Sequence, residues 1–90
     1  MERPKFDIRE LLAHSNEEAV LLDGFDEAIV GVSHSFGKDS VVAYSIAEII
    51  KIMIERDGMT YEDAMEFFEF NILGAHFSDH NPVFIESLYL

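Results

Sequence analysis

The sequence predicts an α+β fold, with a small antiparallel sheet packed against two long helices and one or two short N-terminal helices. Two segments rich in small and β-branched residues, at positions 27–33 and 40–44, have the composition of neighbouring strands. Two segments with helical spacing of apolar residues and clear capping residues follow, at positions 46–57 and 60–74. Ninety residues without a linker or a repeat predict one domain.

The region before the first strand is predicted to contain the short helices. Pro4 can begin one, because its missing N–H would have no partner in the first turn of a helix. Ser15, with Glu18 three residues later, has the pattern of a capping box and predicts a second helix at positions 19–22. Gly24 would end that helix in the left-handed conformation. A strand at positions 20–22 is the alternative.

The two predicted strands form a hairpin, and a third strand extends the sheet. The gap at positions 34–39 suits a hairpin with a longer loop better than a tight two-residue turn. Positions 82–85 predict the third strand at an edge of the sheet, because Pro82 lacks the N–H that a central strand would donate.

The first long helix is predicted to have one narrow polar stripe. Ser45 is its N-cap, and Gly58 ends it. The stripe consists of Glu48, Lys51 and Glu55, and almost every other position is apolar. Such a helix is buried on most sides. In so small a protein, part of that burial is expected to come from a second subunit.

The second long helix is predicted to begin after Thr60, with Asp63 at the capping-box position, and to close at Gly74. Its apolar residues recur with helical spacing and predict the face that packs on the core. These residues are Tyr61, Ala64, Met65, Phe68 and Ile72.

The charge of the chain limits its partners. It has 18 acidic and 6 basic residues, a net charge of −12. Such a surface repels the phosphates of nucleic acids and of anionic lipids, so we expect neither direct nucleic-acid binding nor membrane binding. The acidity serves solubility, docking on a basic protein, or mimicry of DNA. The lack of cysteine, of a signal-peptide pattern and of a long apolar run predicts a cytoplasmic protein.

The outward side of the second long helix is the first candidate binding site. Glu62, Glu66 and Glu69 form a purely acidic stripe, and Phe67 and Phe70 lie between that stripe and the core face. Aromatic residues anchor protein interfaces, and clustered negative charge attracts a basic protein. A solvated stripe with both phenylalanines packed in the core is the alternative.

No pattern in the sequence supports nucleophilic or acid–base catalysis. There is no cysteine, and no serine lies in a nucleophile-elbow motif. Nothing near the acidic stripe in sequence would desolvate one of its carboxylates for acid–base catalysis. We therefore predict a protein that is not an enzyme and needs no cofactor.

The loop at positions 34–40 is a second candidate site, for a small ligand. Its sequence SFGKDS at positions 35–40 is similar to the pyrophosphate loop of the PP-loop ATP pyrophosphatases, although Phe36 replaces a glycine of that loop. The resemblance implies binding of a nucleotide or a nucleotide-derived signal through the backbone and a lysine. An ordinary hairpin loop is the alternative. The ligand-binding residues under this hypothesis are Ser35, Gly37, Lys38 and Ser40.

A group of histidines near the C-terminal end is a third candidate. His76 and His80 are four residues apart with Asp79 between them, and such a pair can share a divalent metal on a helix. Gly74 is expected to end the helix before this group, so the spacing fixes no geometry. Surface or interface histidines that respond to pH are the alternative, and no metal is predicted.

Several segments between positions 23 and 85 together form a distinctive pattern. They are DGFDEAIVG at 23–31, FG at 36–37, VAY at 42–44, the long block DGMTYEDAMEFFEFN at 57–71, GA at 74–75 and PVF at 82–84. This pattern resembles that of a family of small uncharacterised proteins encoded by bacteriophages and prophages. His76 and Ser78 depart from the pattern of that family. The resemblance implies a phage product that acts inside a bacterial host, and it implies no particular activity.

Together these observations predict a non-enzymatic acidic protein that binds a host or phage protein, such as an inhibitor of a host defence or nucleic-acid enzyme. A homo-oligomer is expected, because the first long helix is too apolar for one small domain to cover. The alternatives are a binder of nucleotides or signal molecules and a structural homo-oligomer without another partner.

Overall fold

The computed structural model describes residue 16 and residues 18–88, which form an α+β arrangement of one small mixed sheet and two helices. In chain order the elements are a 3₁₀ turn (Asp26–Ala28), strand β1 (Ile29–Ser35), strand β2 (Lys38–Ser45), helix α1 (Ile46–Asp57), helix α2 (Tyr61–Phe67), a π-helical segment (Phe68–Leu73) and strand β3 (Val83–Ile85). The predicted fold class is confirmed. The prediction of two long helices is wrong, since α1 has 12 residues and α2 has 7.

The sheet has the order β1-β2-β3, with β1 antiparallel and β3 parallel to β2. The prediction of an antiparallel sheet is therefore wrong for the third strand. Both helices lie between β2 and β3, and they return the chain to the end of the sheet from which a parallel strand must start. The third strand lies at an edge, as the proline before it predicted.

The hairpin between β1 and β2 closes with a two-residue turn. Ser35 pairs with Lys38, so only Phe36 and Gly37 connect the strands, and the expected longer loop is absent from this part of the chain. Gly37 has φ +75°, a conformation that glycine adopts without steric cost. Both strands extend into the polar residues that the sequence analysis assigned to the loop.

The segment before the 3₁₀ turn is not helical, and the helix predicted at positions 19–22 is wrong. Its backbone instead bonds to distant elements. The N–H of Val20 donates to the carbonyl of His80 at 3.2 Å, and the N–H of Leu22 donates to the hydroxyl of Tyr44 at 2.7 Å. These bonds replace the local ones that a helix would make.

The helix predicted to begin at Pro4 and the capping residue Ser15 lie outside the described residues. Asn16, the first described position, is attached to the sheet, because its side-chain amide donates to the carbonyl of Ser40 at 2.8 Å. Gly24 has the predicted positive φ of +86°, but it lies in a turn rather than at a helix end.

Helix α1 begins and ends as predicted. The hydroxyl of Ser45 accepts a hydrogen bond from the N–H of Glu48 at 3.2 Å, which satisfies one of the unpaired donors of the first turn. Gly58 ends the helix in the left-handed conformation, with φ +70°. Neither helix of residues 18–88 is long and apolar enough to cross a membrane.

Helix α2 continues into the π-helical segment, which changes the role of Gly74. The hydroxyl of Thr60 caps α2 by accepting from the N–H of Asp63 at 3.1 Å, as predicted. At the other end, the N–H of Gly74 donates to the carbonyl of Glu69 at 3.1 Å, five residues back. Gly74 closes the segment, as predicted, with φ −78° rather than in the left-handed conformation that many helix-ending glycines adopt. A Cβ there would lie 3.0 Å from that carbonyl oxygen and 3.2 Å from the carbonyl oxygen of Phe70, so a side chain would fit only if this backbone moved by a few tenths of an ångström.

The core lies between one side of the sheet and the two helices. The ring of Phe84 on β3 stacks near that of Tyr44 at a centroid distance of 6.1 Å and meets Phe68 edge-on at 5.3 Å. On the predicted core face of the second helix, Tyr61 is an exception, because it is 60% exposed in the first turn of α2. The largest fully buried side chains are Tyr44, Phe68, Ile49, Met53 and Val42.

Arg56 holds the segment before the 3₁₀ turn against the end of α1. Its guanidinium donates to the carbonyl of Gly24 at 2.8 Å and lies 5.0 Å from the ring centroid of Phe25. The same group pairs with Asp57 at 2.9 Å. The hydrogen bond from Arg56 lowers the pKa of the Asp57 carboxyl, so this carboxylate stays charged and orients the guanidinium.

Candidate functional site

The predicted acidic stripe and its two phenylalanines lie on the outward side of α2 and the π-helical segment. All five side chains are exposed, with Phe67 at 41% and Phe70 at 73%. The opposite side of the same helix packs on the core through Phe68 and its buried neighbours. The alternative in which the two phenylalanines belong to the core is therefore wrong. We call this group of Glu62, Glu66, Glu69, Phe67 and Phe70 the acidic–aromatic surface.

No ion pair within the described part of the chain uses a carboxylate of the acidic–aromatic surface. The ion pairs among residues 18–88 involve Arg56 with Asp57 and His80 with two other carboxylates, and none includes these three glutamates. Glu62 and Glu66 are four residues apart on α2, which places them on one side of that helix, and Phe70 lies in the π-helical segment that follows. An incoming protein would meet two exposed carboxylates on α2 and the exposed ring of Phe70 in the next turn.

Apolar exposure continues beyond the five residues of the acidic–aromatic surface. Leu73, in the last turn of the π-helical segment, is 53% exposed, and Phe77 is 54% exposed. The backbone at Phe77 is fixed, because its N–H donates to the side-chain oxygen of Asn81 at 3.0 Å. The spacing of residues in the sequence does not predict that Leu73 is exposed, because the π-helical segment shifts every position after Phe67 relative to an α-helix.

A trough of about 670 Å³ lies on the side of the sheet that faces away from the core. It unites residues that the sequence analysis assigned to two separate candidate sites, the hairpin loop and the histidine group. Ser40 and His76 are not among the residues that line it. The lining residues are Ser33, Ser35, Gly37, Lys38, Asp39, Val41, Asp79, His80, Asn81 and Val83.

His80 links the trough to other parts of the chain. Its Nε2 lies 3.0 Å from Asp39 on β2, and its Nδ1 lies 3.5 Å from Glu18 in the segment before the turn. The ring therefore joins three parts of the chain and is largely shielded from solvent. No three His, Cys, Asp or Glu side chains converge as a metal ion would require within the described part of the chain. The geometry gives no support to the metal hypothesis for His76, Asp79 and His80.

The trough has mixed charge, which limits what it can hold. Among the described residues that line it, Lys38 is the one lysine or arginine, and Asp39 and Asp79 are on the same walls. The segment after Gly37 is a strand, so no helix N-terminus points at the turn as it does in a pyrophosphate loop. The resemblance to the PP-loop enzymes therefore does not extend to the local structure, and a bare phosphate would meet two carboxylates.

A third surface is a largely apolar groove of about 440 Å³ between α1, α2 and the chain after β3. Sequence analysis indicated only that α1 is too apolar for full coverage within one chain. Its lining residues are Ile46, Ala47, Ile50, Lys51, Ile54, Glu55, Tyr61, Met65, Glu86 and Ser87. We call this the α1–α2 groove.

No protein-family model, curated protein or solved structure matches this chain. The resemblance to small phage proteins stays a prediction, and function must be argued from the three surfaces described above.

Proposed function

We propose that this chain is a non-enzymatic protein that binds a basic surface on another protein through its acidic–aromatic surface. The observation that carries the proposal is the 73% exposure of Phe70, in the segment that directly follows the exposed carboxylates Glu62 and Glu66 of α2. An exposed aromatic ring costs free energy in water, and it gains free energy when a partner covers it. The adjacent charges would select a basic partner and accelerate its encounter.

The charge of the whole chain supports the same partner class. A net charge of −12 repels nucleic acid and other acidic proteins at long range. Carboxylates spaced along a helix present negative charge at intervals, as a nucleic-acid backbone does. The partner that fits best is therefore a host or phage protein with a basic surface, such as a nucleic-acid or defence enzyme that this chain would inhibit. The resemblance to phage proteins would place that event inside a bacterial host cell.

Capture of partners from a bacterial host lysate tests the proposal. The test variant carries Glu62→Gln, Glu66→Gln and Glu69→Gln, and a second variant carries Phe70→Ser. We expect both to lose partners that the parent chain captures, and we expect capture by the parent to weaken as salt rises.

A matched control separates this surface from the effect of total charge. Asp23→Asn, Asp26→Asn and Glu27→Gln remove three exposed carboxylates near the 3₁₀ turn and change the net charge by the same amount. We expect this control to capture partners as the parent does. If the acidic–aromatic variants capture the same proteins as the parent, binding takes place elsewhere and the proposal fails.

We infer a second candidate function, binding of a nucleotide or related small ligand, from the trough. Its volume of about 670 Å³ is in the range of small-molecule sites. Three of the four residues predicted for this function line it, namely Ser35, Gly37 and Lys38. Thermal-shift measurements with a panel of nucleotides test it, since a ligand that binds only the folded state raises the Tm. The shift should disappear in Lys38→Gln and persist in Lys51→Gln, and an unchanged Tm with every nucleotide would exclude this function.

A further inference from the structure

The α1–α2 groove is an apolar surface with no cover from the described part of the chain. Its walls come from Ile46, Ala47, Ile50 and Ile54 on α1 and from Tyr61 and Met65 on α2. Ile54 is 36% exposed and Tyr61 is 60% exposed. Ala47, Ile50 and Ile54 recur at intervals of three and four residues, which is the spacing of a seam between two packed helices.

Two opposite charges stand on the same flank of this seam. Lys51 and Glu55 are four residues apart on α1, and both line the groove. No ion pair joins either of them to another residue among those the structure describes. Lys51 is thus an unpaired cation beside an apolar groove, in a chain with 18 acidic residues.

We propose that the α1–α2 groove is a dimer interface and that its occupant is α1 of a second copy of this chain, packed antiparallel about a two-fold axis. A two-fold axis perpendicular to both helices brings the same flank of each helix together. Lys51 then faces Glu55 of the second copy, and Glu55 faces Lys51 of the second copy. Ile54 lies next to the axis and meets its symmetry mate.

Charge complementarity selects this occupant and this direction. A parallel helix pair would bring opposite flanks together, so Lys51 would not meet Glu55. Two strongly acidic chains repel each other at most relative orientations. The antiparallel arrangement places the apolar seam and two ion pairs at the contact, and the acidic–aromatic surface is built from other residues of α2 and the π-helical segment.

The mass of the full-length chain in solution, from light scattering and sedimentation equilibrium over a dilution series, tests this proposal. We expect the parent chain to have twice the monomer mass. Lys51→Glu and Glu55→Lys should each weaken the dimer by about tenfold or more, because each replaces two ion pairs with two like-charge contacts. The double variant Lys51→Glu/Glu55→Lys should restore dimerisation, because it exchanges the two partners of each pair.

Two further variants keep the interpretation clear. Glu62→Lys changes the net charge as much as Glu55→Lys does but lies outside the groove, and it should leave the dimer intact. Ile54→Ser should give a monomer that still unfolds cooperatively on heating, which shows that the fold survives. A monomeric parent would overturn the proposal, since the groove would then have another occupant. A dimer that both single charge reversals leave unchanged, or that the double variant fails to restore, would equally overturn it.

Discussion

Replacement of Tyr44 by phenylalanine isolates one buried hydrogen bond. Tyr44 is fully buried, and its hydroxyl oxygen accepts from the N–H of Leu22 at 2.7 Å. Phenylalanine keeps the ring, which stacks near Phe84, and removes only the oxygen. The N–H of Leu22 would then lie in the core without its acceptor.

The magnitude follows from that burial. A buried donor that loses its acceptor costs about 1–3 kcal/mol, because water does not replace the lost partner. In a domain of this size each kcal/mol lowers the Tm by about 4–8 °C. Tyr44→Phe should therefore lower the free energy of unfolding by about 1–3 kcal/mol. Tyr61→Phe makes the same chemical change at a 60% exposed position and should stay within about 0.5 kcal/mol of the parent.

Urea denaturation measures both variants, and the slope against urea should stay constant if only stability changes. The comparison also depends on pH. Burial raises the pKa of Tyr44 above its usual 10.0, so the folded chain keeps this proton at a pH where the unfolded chain releases it. The free energy of unfolding of the parent therefore falls as pH rises through 10.0. Tyr44→Phe has no hydroxyl to ionise, so it does not show this loss. The gap between parent and variant should narrow at alkaline pH. If Tyr44→Phe is as mild as Tyr61→Phe at neutral pH, the buried hydrogen bond does not support the segment as described.

Three other substitutions test local features of the fold. Gly74→Ala places a Cβ about 3 Å from two backbone oxygens and should lower the free energy of unfolding by about 1–3 kcal/mol in urea denaturation. The control Gly31→Ala places a Cβ with nothing within 4 Å and should have a far smaller effect. Equal effects would refute the packing argument. Ser45→Ala removes the cap of α1 and should cost about 1 kcal/mol, whereas Ser45→Asp should keep most of the stability. Arg56→Gln removes the clamp on the segment before the 3₁₀ turn and should speed hydrogen exchange of the Phe25 amide, and an unchanged exchange rate would show that the clamp is dispensable.

The features that sequence analysis predicted well are those with local causes. Ser45 and Gly58 bound α1 through bonds and dihedral angles of their own neighbourhood, and Thr60 does the same for the start of α2. The direction of β3 has no local cause, because a strand of three residues pairs in either direction with the same side chains. Gly74 was interpreted through the commonest role of a glycine at a helix end. Its actual role depends on a five-residue hydrogen bond that no spacing rule indicates.

The candidate sites show the same difference between features with local causes and features that depend on distant parts of the chain. The exposure of Glu62, Glu66 and Glu69 followed from helical spacing alone. Helical spacing does not predict that Lys38 and Asp79 line the same trough, because this depends on how the loop after the π-helical segment returns to the sheet. His80 fixes that return through Asp39 and Glu18, and its partners are distant in sequence from the loop.

Because β3 is parallel to β2, we expect the two strand pairs of the sheet to form at different times during folding. The β1–β2 hairpin closes over two residues, whereas Ala43 on β2 pairs with Val83 on β3, which lies 40 positions later in the chain. Long-range closure of this kind is entropically costly and comes late. We expect Phe84→Leu to speed unfolding more than it slows refolding in stopped-flow measurements. Until β3 pairs with β2, the rings of Tyr44 and Phe68 lack their shared contact with Phe84. During that interval a newly synthesised chain is exposed to proteolysis and to aggregation with other incompletely folded chains.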